Sequence, residues 1–186
     1  GAGSVRRVVA EEAMRELKTT DFKDVFKEEM ERKQDFVTDC TIDTDLEILI
    51  PDSYVENITE RLSLYTQLDD LETAEEMEQF AAQLTDRFGP IPQPVQDLFM
   101  TLKSRRIACD LGFEKLILKN EQMRLYFVSN PDSPYFESET FNHILAYIQN
   151  RTVHARLKQV GKNFLLVVDR MKKMGDVLRF LESMKK

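Results

Sequence analysis

The chain has 186 residues, of which 42% are hydrophobic and 32% are charged, a composition typical of a folded soluble protein. No apolar run approaches the roughly 18 residues that a membrane span requires, so the sequence excludes a transmembrane protein. The opening Gly-Ala-Gly-Ser resembles residues left by an expression tag, and no signal peptide follows it. We therefore expect a cytoplasmic protein that does not bind membranes.

The formal net charge of -7 conceals a strong asymmetry along the chain. Residues 151–186 hold ten Lys and Arg against three Asp and Glu, a local charge of +7, whereas residues 1–150 carry -14. The acidic residues collect most densely at 69–78, where a predicted helix begins and the helix dipole favours them. Metal binding or an acidic docking patch is the functional alternative for that cluster.

The first 35 residues predict a helical arm and linker. A helix over Val5–Lys18 is followed by a second helix whose apolar stripe is too narrow to fold alone. We therefore divide the chain into this arm at 1–35, with tag residues at 1–4, and a C-terminal domain at 36–186.

The next segment predicts one strand and one helix. From Phe36 to Ile50 apolar residues alternate with polar ones, as in a strand, and Pro51 ends the pattern. A helix is expected from about Val55 to Leu68, with Glu60 and Arg61 in water. The residues expected to line its buried face are Val55, Ile58, Leu62 and Tyr65.

A further helix is marked at both ends by its sequence. Thr73 and Glu76 have the spacing of a capping box, and Gly89 suits the left-handed residue after a helix. The helix that follows ends at another glycine, Gly112. Between the two helices, three prolines fix the angle of a corner, and the last of them suits a first helical turn: Pro90, Pro92 and Pro94.

The rest of the chain predicts two hairpins and two helices. In order they are strands Phe113–Lys119 and Met123–Ser129, a helix at 135–150, strands Val153–Val160 and Phe164–Val168, and a helix at 172–183. Because the strands come mostly as hairpins, the predicted class is α+β, with helices packed on short antiparallel hairpin strands and a helical N-terminal arm.

Motifs for nucleotide binding and nucleophilic catalysis are missing from the sequence. It has neither a GxxxxGK[ST] nor a GxGxxG loop, and no GxSxG elbow. His143 and His154 fall on different predicted elements, and Cys40 and Cys109 have no CxxC partner. We therefore expect reduced thiols, no metal site, no catalytic residue and no cofactor in this chain.

The basic C-terminal segment offers candidate phosphate contacts. Because aromatic interleaving of the RNP kind is missing, binding there would be electrostatic and sensitive to salt. A solvated basic surface is the alternative. The candidate residues are Arg151, Arg156, Lys158 and Lys162, with Lys103, Arg105 and Arg106 of the KSRR run as a second group.

The segment TDLEILIPDSYVENITERLSLYTQLDDLETAEEMEQFAAQLTDRFGPIPQPVQDLF, residues 44–99, closely resembles the C-terminal domain of bacterial transcription-repair coupling factors, the Mfd family. The shared features are the IPDSY and RLSLY segments and the LTDRFGPIP run. EEAMRELK near the start resembles the helix that closes the translocase portion of the same proteins. The resemblance is strong over 44–99 and extends more weakly to the C-terminus.

The resemblance implies a non-catalytic regulatory domain of a DNA translocase whose motor, with its ATP and Mg sites, lies outside this chain. In that family the domain docks on the UvrB-like N-terminal module of the same protein, covers the UvrA-binding surface and restrains the motor until RNA polymerase is engaged. UvrA, RNA polymerase and DNA would be partners of the full-length protein.

The resemblance also implies which residues dock. Asp86 and Arg87 at the end of the LTDRFG helix would be the charged contacts, held in place by the proline corner. Gln83, one turn earlier, stands where relatives are expected to carry an acid. From the residues alone, the alternative is a salt bridge within the domain, which would contribute about 0.5 kcal/mol.

Overall fold

The computed structural model describes residues 36–149 and 154–185, which belong to one compact unit of mixed helices and strands. The predicted arm at 1–35 lies outside the described residues. None of the described helices is long and apolar enough to cross a membrane. In chain order the elements are strand β1 (Thr41–Thr44), helices α1 (Ile58–Asp69), α2 (Ala74–Phe88) and α3 (Gln93–Leu111), strands β2 (Phe113–Lys119) and β3 (Gln122–Phe127), a 3-10 helix (Pro134–Glu137), helix α4 (Glu139–Gln149), strands β4 (Ala155–Val160) and β5 (Asn163–Val168), and helix α5 (Met174–Met184).

The five strands form one sheet in the order β1-β2-β3-β5-β4, which confirms the α+β class. Both predicted hairpins are present as antiparallel pairs, and β1 adds a parallel edge beside β2. The hairpin turns use left-handed residues, Asn120 and Glu121 at φ 53° and 61° and Gly161 at φ 62°, which suit two-residue loops. Three helices separate β1 from β2, so the sheet is mixed.

Two apolar cores share one helix. The first core lies between one face of the sheet and the helices α4, α5 and the second half of α3. The second core lies among α1, α2 and the first half of α3. Val95 and Phe99 of α3 are buried in the helical core, and Ile107 and Leu111 of the same helix are buried in the sheet core. Helix α3 therefore connects the α1–α2 pair rigidly to the sheet.

The predicted strand over Phe36–Ile50 is mostly wrong, because only Thr41–Thr44 is a strand. The alternation of half-buried and exposed side chains continues to Leu49, as the sequence indicated. The hydrogen-bonded ladder stops earlier because its partner β2 ends at Lys119 and turns away. A strand needs a neighbour as well as an alternating pattern.

The predicted buried face of α1 is half wrong, since Val55 is buried and Tyr65 packs partly buried against the helical core, but Ile58 and Leu62 do not pack there. Leu64 and Leu68 are the buried residues of α1, whereas Ile58 and Leu62 are 64% and 61% exposed. The helix begins only at Ile58, with the side chain of Asn57 accepting a hydrogen bond from the Glu60 amide. Val55 is buried, but it belongs to the turn before the helix and does not set the phase of the helical face.

The predicted ends of α2 are confirmed. The Thr73 hydroxyl accepts a hydrogen bond from the Glu76 amide at 3.1 Å, and the Glu76 carboxylate accepts one from the Glu72 amide at 3.0 Å. Gly89 follows the helix at φ 92°, a conformation that a β-carbon disfavours. Pro94 lies in the first turn of α3, after Pro92 at its N-cap.

Alkaline pH is expected to destabilise the fold through Cys40. Burial, with smaller contributions from Cys109 and Asp39, raises the pKa of the Cys40 thiol from 9.0 to about 12. Above pH 9 the unfolded thiol ionises while the folded one keeps its proton, so stability present below pH 9 is lost as pH rises towards 12. Between pH 8 and 10.5 we expect the free energy of unfolding of the wild-type protein to fall by about 2 kcal/mol through Cys40, and the Cys40→Ala variant should not show this fall.

Urea unfolding of both proteins at the two pH values measures this difference. Other groups that titrate in the same range contribute equally to both proteins and cancel. Parallel slopes of stability against pH for the two proteins would show that ionisation of Cys40 is not linked to unfolding.

Candidate docking site at the end of helix α2

The last two turns of α2 present the three residues that the resemblance assigns to docking. Gln83 and Arg87 lie one turn apart, with Asp86 between them on the solvent side of the helix. All three residues are exposed, whereas Leu84 on the opposite face is buried in the helical core. The helix thus places an amide, a carboxylate and a guanidinium on one surface.

Asp86 has no structural partner among the described residues. It makes no hydrogen bond or ion pair there, and it occupies the last turn of a helix. A carboxylate near the negative end of the helix dipole is disfavoured by roughly 0.3–1 kcal/mol. The stability of this domain therefore does not explain an acid at this position.

Arg87 is held within the domain. Its guanidinium forms an ion pair with the Glu60 carboxylate of α1 and lies 4.7 Å from the centre of the Phe88 ring. The salt bridge predicted as the alternative to docking is therefore present, and Glu60 does not project freely into water as expected. Arg61 also contacts the domain, donating to the Val55 carbonyl at 2.6 Å. No sequence signal links Glu60 to Arg87, because α1 and α2 place them together only after folding.

The side chain of Arg87 nevertheless remains 51% exposed. Its contacts with Glu60 and Phe88 fix its direction while leaving part of the guanidinium open to a partner. A fixed guanidinium loses less rotamer entropy on docking than a mobile one.

Tyr54 fixes the corner that follows α2. Its hydroxyl lies 2.8 Å from the carbonyl oxygen of Gly89 and 3.2 Å from that of Leu84, and its ring lies 5.7 Å from the ring of Phe88. These contacts join the loop before α1 to the final turn of α2. The rigid corner that the prolines predicted is therefore supported by a tyrosine far away in sequence.

Replacing Tyr54 with phenylalanine is expected to lower the free energy of unfolding by about 1 kcal/mol, because the Gly89 and Leu84 carbonyls lose their hydroxyl donor. Chemical denaturation measures the loss. Tyr126→Phe is a matched control, since no hydrogen bond joins the Tyr126 hydroxyl to the described residues. Equal stability of Tyr54→Phe and wild type would mean that the hydroxyl does not hold the corner.

Two shallow grooves border the candidate site. One, of about 550 Å³, lies beside the ion pair and is lined by Glu60, Ser63, Gln67 and Arg87 among others. The other, of about 320 Å³, is lined by Gln67, Gln83 and further residues of α1, α2 and their connection. Gln67 lines both, so the surface beside the docking residues is concave and is lined mostly by polar residues.

The candidate phosphate-binding residues fall into different environments. Arg151 lies outside the described residues, and Lys162 lies in the turn between β4 and β5. Arg156 pairs with Asp169 at 2.7 Å, and hydrogen bonds from Gln122 and Arg156 lower the pKa of that carboxyl. Lys158 is exposed on β4. Nucleic-acid binding by these residues stays a prediction.

The KSRR run does not form a free basic patch. Arg106 donates a hydrogen bond to the Leu71 carbonyl, and the guanidinium of Arg105 lies 3.8 Å from the Asp39 carboxylate. Only Lys103 of the three is fully exposed. Two of these cations therefore tie α3 to its neighbours.

The described residues hold no group of three or more His, Cys, Asp or Glu side chains that could bind a metal ion. His143 lies on α4, as the sequence indicated, whereas His154 precedes β4 and is not in the strand predicted for it. The acidic cluster at 69–78 is exposed, and Glu76 within it caps α2. Cys40 and Cys109 are free thiols.

Comparison with solved structures identifies the fold. A crystal structure of the C-terminal domain of transcription-repair coupling factor superposes with a TM-score of 0.65 and 16% sequence identity, covering 78% of this chain and 91% of that one. The helix corner and hairpin-built sheet described above are thus those of a known domain architecture.

Sequence comparison gives the family. A model of the TRCF domain matches residues 44–138, about half of the chain. The transcription-repair-coupling factor of Rickettsia bellii is 28% identical over 87% of this chain, and that of Escherichia coli K12 is 35% identical over 37% of it. The chain belongs to the TRCF domain family. It spans 14% of the length of the Rickettsia bellii protein and 6% of the Escherichia coli protein.

Proposed function

We propose that this domain is a regulatory clamp that docks on the UvrB-like N-terminal module of its own full-length protein. In the docked state it covers the UvrA-binding surface and restrains the ATP-driven DNA motor, and engagement of RNA polymerase releases it. The domain itself carries out no catalysis and binds no cofactor. Asp86, Arg87 and Gln83 form the contact surface.

The unpartnered carboxylate of Asp86 is the observation that carries this proposal. It sits where the helix dipole disfavours an acid, on a helix end fixed by Tyr54 and the proline corner. A docking site supplies the missing reason for an acid at this position, because a cationic partner would pair with it. Charge complementarity of this kind fixes the orientation of a complex.

Arg87 has a dual role in this account. Its pair with Glu60 is half exposed and contributes at most about 1 kcal/mol to stability. The same pair holds the guanidinium on the exposed surface of α2 on which Asp86 also lies. Gln83 contributes an amide hydrogen bond at the position where the resemblance led us to expect an acid.

A calorimetric titration of this chain against the isolated UvrB-like module tests the proposal. Asp86→Lys and Arg87→Glu are each expected to weaken docking at least tenfold, because each places a like charge against the partner. Glu182→Lys is the matched control: it reverses an exposed acid in the last turn of α5 and should leave docking unchanged.

A charge-swapped pair separates docking from internal support by Arg87. Glu60→Arg with Arg87→Glu restores the ion pair between α1 and α2 but presents the opposite charges to the partner. We expect the swapped protein to be as stable as wild type and still unable to dock. Docking restored by the swap would show that Arg87 only supports the fold, and docking unaffected by Asp86→Lys would contradict the proposed contact.

A further inference from the structure

The sheet has a second face, opposite the face that packs against the helices. The strand register places alternate residues of all five strands on this second face. Its aliphatic members are Ile117, Val160, Leu165 and Val167, and none of them belongs to either helix-packed core. Its charged strand residues are Lys115, Lys119, Arg124, Arg156, Lys158 and Asp43, and Asp169, directly after β5, pairs with Arg156.

The two acids each neutralise one cation. Asp43 pairs with Lys119 at 3.0 Å, and Asp169 pairs with Arg156 at 2.7 Å. The remaining three cations have no acidic partner among the described residues, and all three are exposed. This face therefore carries three uncompensated positive charges on a chain whose net charge is -7. They are Lys115, Arg124 and Lys158.

These cations lie around a partly exposed aromatic ring, Tyr126. Lys115, Tyr126, Leu165 and Lys158 are successive neighbours across β2, β3, β5 and β4, so the two lysines stand about 14 Å apart. Arg124 lies two residues before Tyr126 on the same face. Leu165 is buried, while Tyr126 is partly exposed beside it.

We propose that this sheet face binds single-stranded nucleic acid. Lys115, Arg124 and Lys158 would contact successive phosphates, and Tyr126 would stack on a base between them. A positively charged track with an aromatic ring on which a base can stack is the general design of single-strand binding surfaces. The sequence alone pointed to the basic C-terminal segment and the KSRR run but not to this face, because only strand pairing brings β2 and β3 into one sheet with β4. The face does not include the docking residues of α2.

Fluorescence anisotropy of a labelled 12-nucleotide oligo-dT, titrated with the full 186-residue chain, tests this proposal. With three phosphate contacts, the affinity should fall roughly 20-fold between 50 and 200 mM salt. The triple variant Lys115→Glu, Arg124→Glu and Lys158→Glu should lose at least tenfold at 50 mM salt. Tyr126→Leu should weaken binding about tenfold, because it removes the stacking ring and leaves the cations in place.

A matched triple variant controls for net charge. Lys103→Glu, Lys172→Glu and Lys185→Glu change the net charge equally at exposed positions away from this face and should bind oligo-dT nearly as wild type does. Circular dichroism confirms that both triple variants fold. No oligo-dT binding at 50 mM salt, equal weakening by the control, or equal affinity for duplex DNA or polyglutamate would overturn the proposal.

Discussion

The substitution Gly112→Ala is expected to lower the free energy of unfolding by about 3 kcal/mol and the melting temperature by about 6–12 °C. Gly112 ends α3 in the left-handed region, at φ 92° and ψ 23°, where a β-carbon costs roughly 1 kcal/mol. A β-carbon there would also overlap the ring of Tyr135. Overpacking of this kind adds about 1–3 kcal/mol.

The Tyr135 ring has little room to move away. It is fully buried, its hydroxyl donates to the Leu111 carbonyl at 2.6 Å, and the rings of Phe36 and Phe141 each lie 5.4 Å from it. Any shift that accommodates the new methyl group must disturb this hydrogen bond or the aromatic cluster. The strain therefore stays in the folded state and appears as lost stability.

Gly161→Ala is the matched control for this prediction. Gly161 also has a positive φ, 62°, but a β-carbon there would meet nothing within 4 Å. Gly161→Ala is expected to lower the free energy of unfolding by only about 1 kcal/mol, because the β-carbon meets an unfavourable backbone conformation but no neighbouring atom. Thermal and urea unfolding of both variants measure the difference, and equal losses would show that contact with Tyr135 does not matter.

In the full-length protein, Asp86→Lys is expected to raise the apparent affinity for UvrA at least about eightfold, and up to about 100-fold if the clamp opens completely. The proposed clamp, at roughly 2–3 kcal/mol, would keep about 97–99% of the molecules closed, so that only the small open fraction could bind UvrA. Reversing the charge of Asp86 replaces a contact with a repulsion and releases the clamp. The substitution lies on an exposed helix turn and should not alter the fold.

Charge repulsion and loss of folding are distinguishable in this experiment. Asp86→Lys should leave the melting temperature of the isolated domain unchanged or slightly raised, since a cation suits the last turn of a helix. Glu182→Lys in the full-length protein should leave UvrA affinity as it is. A gain in UvrA affinity accompanied by a drop in domain stability would point to unfolding and not to a lost contact.

The sequence predicted local secondary structure better than tertiary packing. The N-cap at Thr73, the proline corner and both hairpins depend on neighbouring residues and were found as expected, although Glu76 accepts from the Glu72 amide and not from that of Thr73. The strand at Phe36–Ile50 shrank to four residues because its length depends on β2, a partner that no local pattern reveals. The α1 face was misassigned because the pattern does not show where the helix begins.

The candidate site shows the same division. Exposure of Asp86 follows from its place opposite the apolar stripe of α2, which periodicity gives. The partners of the site, Glu60 and Tyr54, come from 27 and 35 residues before Arg87 and Gly89, and only tertiary packing brings them there. The basic sheet face depends in the same way on strand order.

The most direct test of the clamp is the affinity of the full-length protein for UvrA, measured in parallel for wild type, Asp86→Lys and a variant lacking residues 36–186. The account predicts weak binding by wild type and tighter binding by the other two, because a reversed charge at the end of α2 would weaken the clamp and removal of the domain would abolish it. Tight binding by the deletion variant alone would contradict the contact assigned to Asp86, and equal binding by all three proteins would contradict the clamp itself.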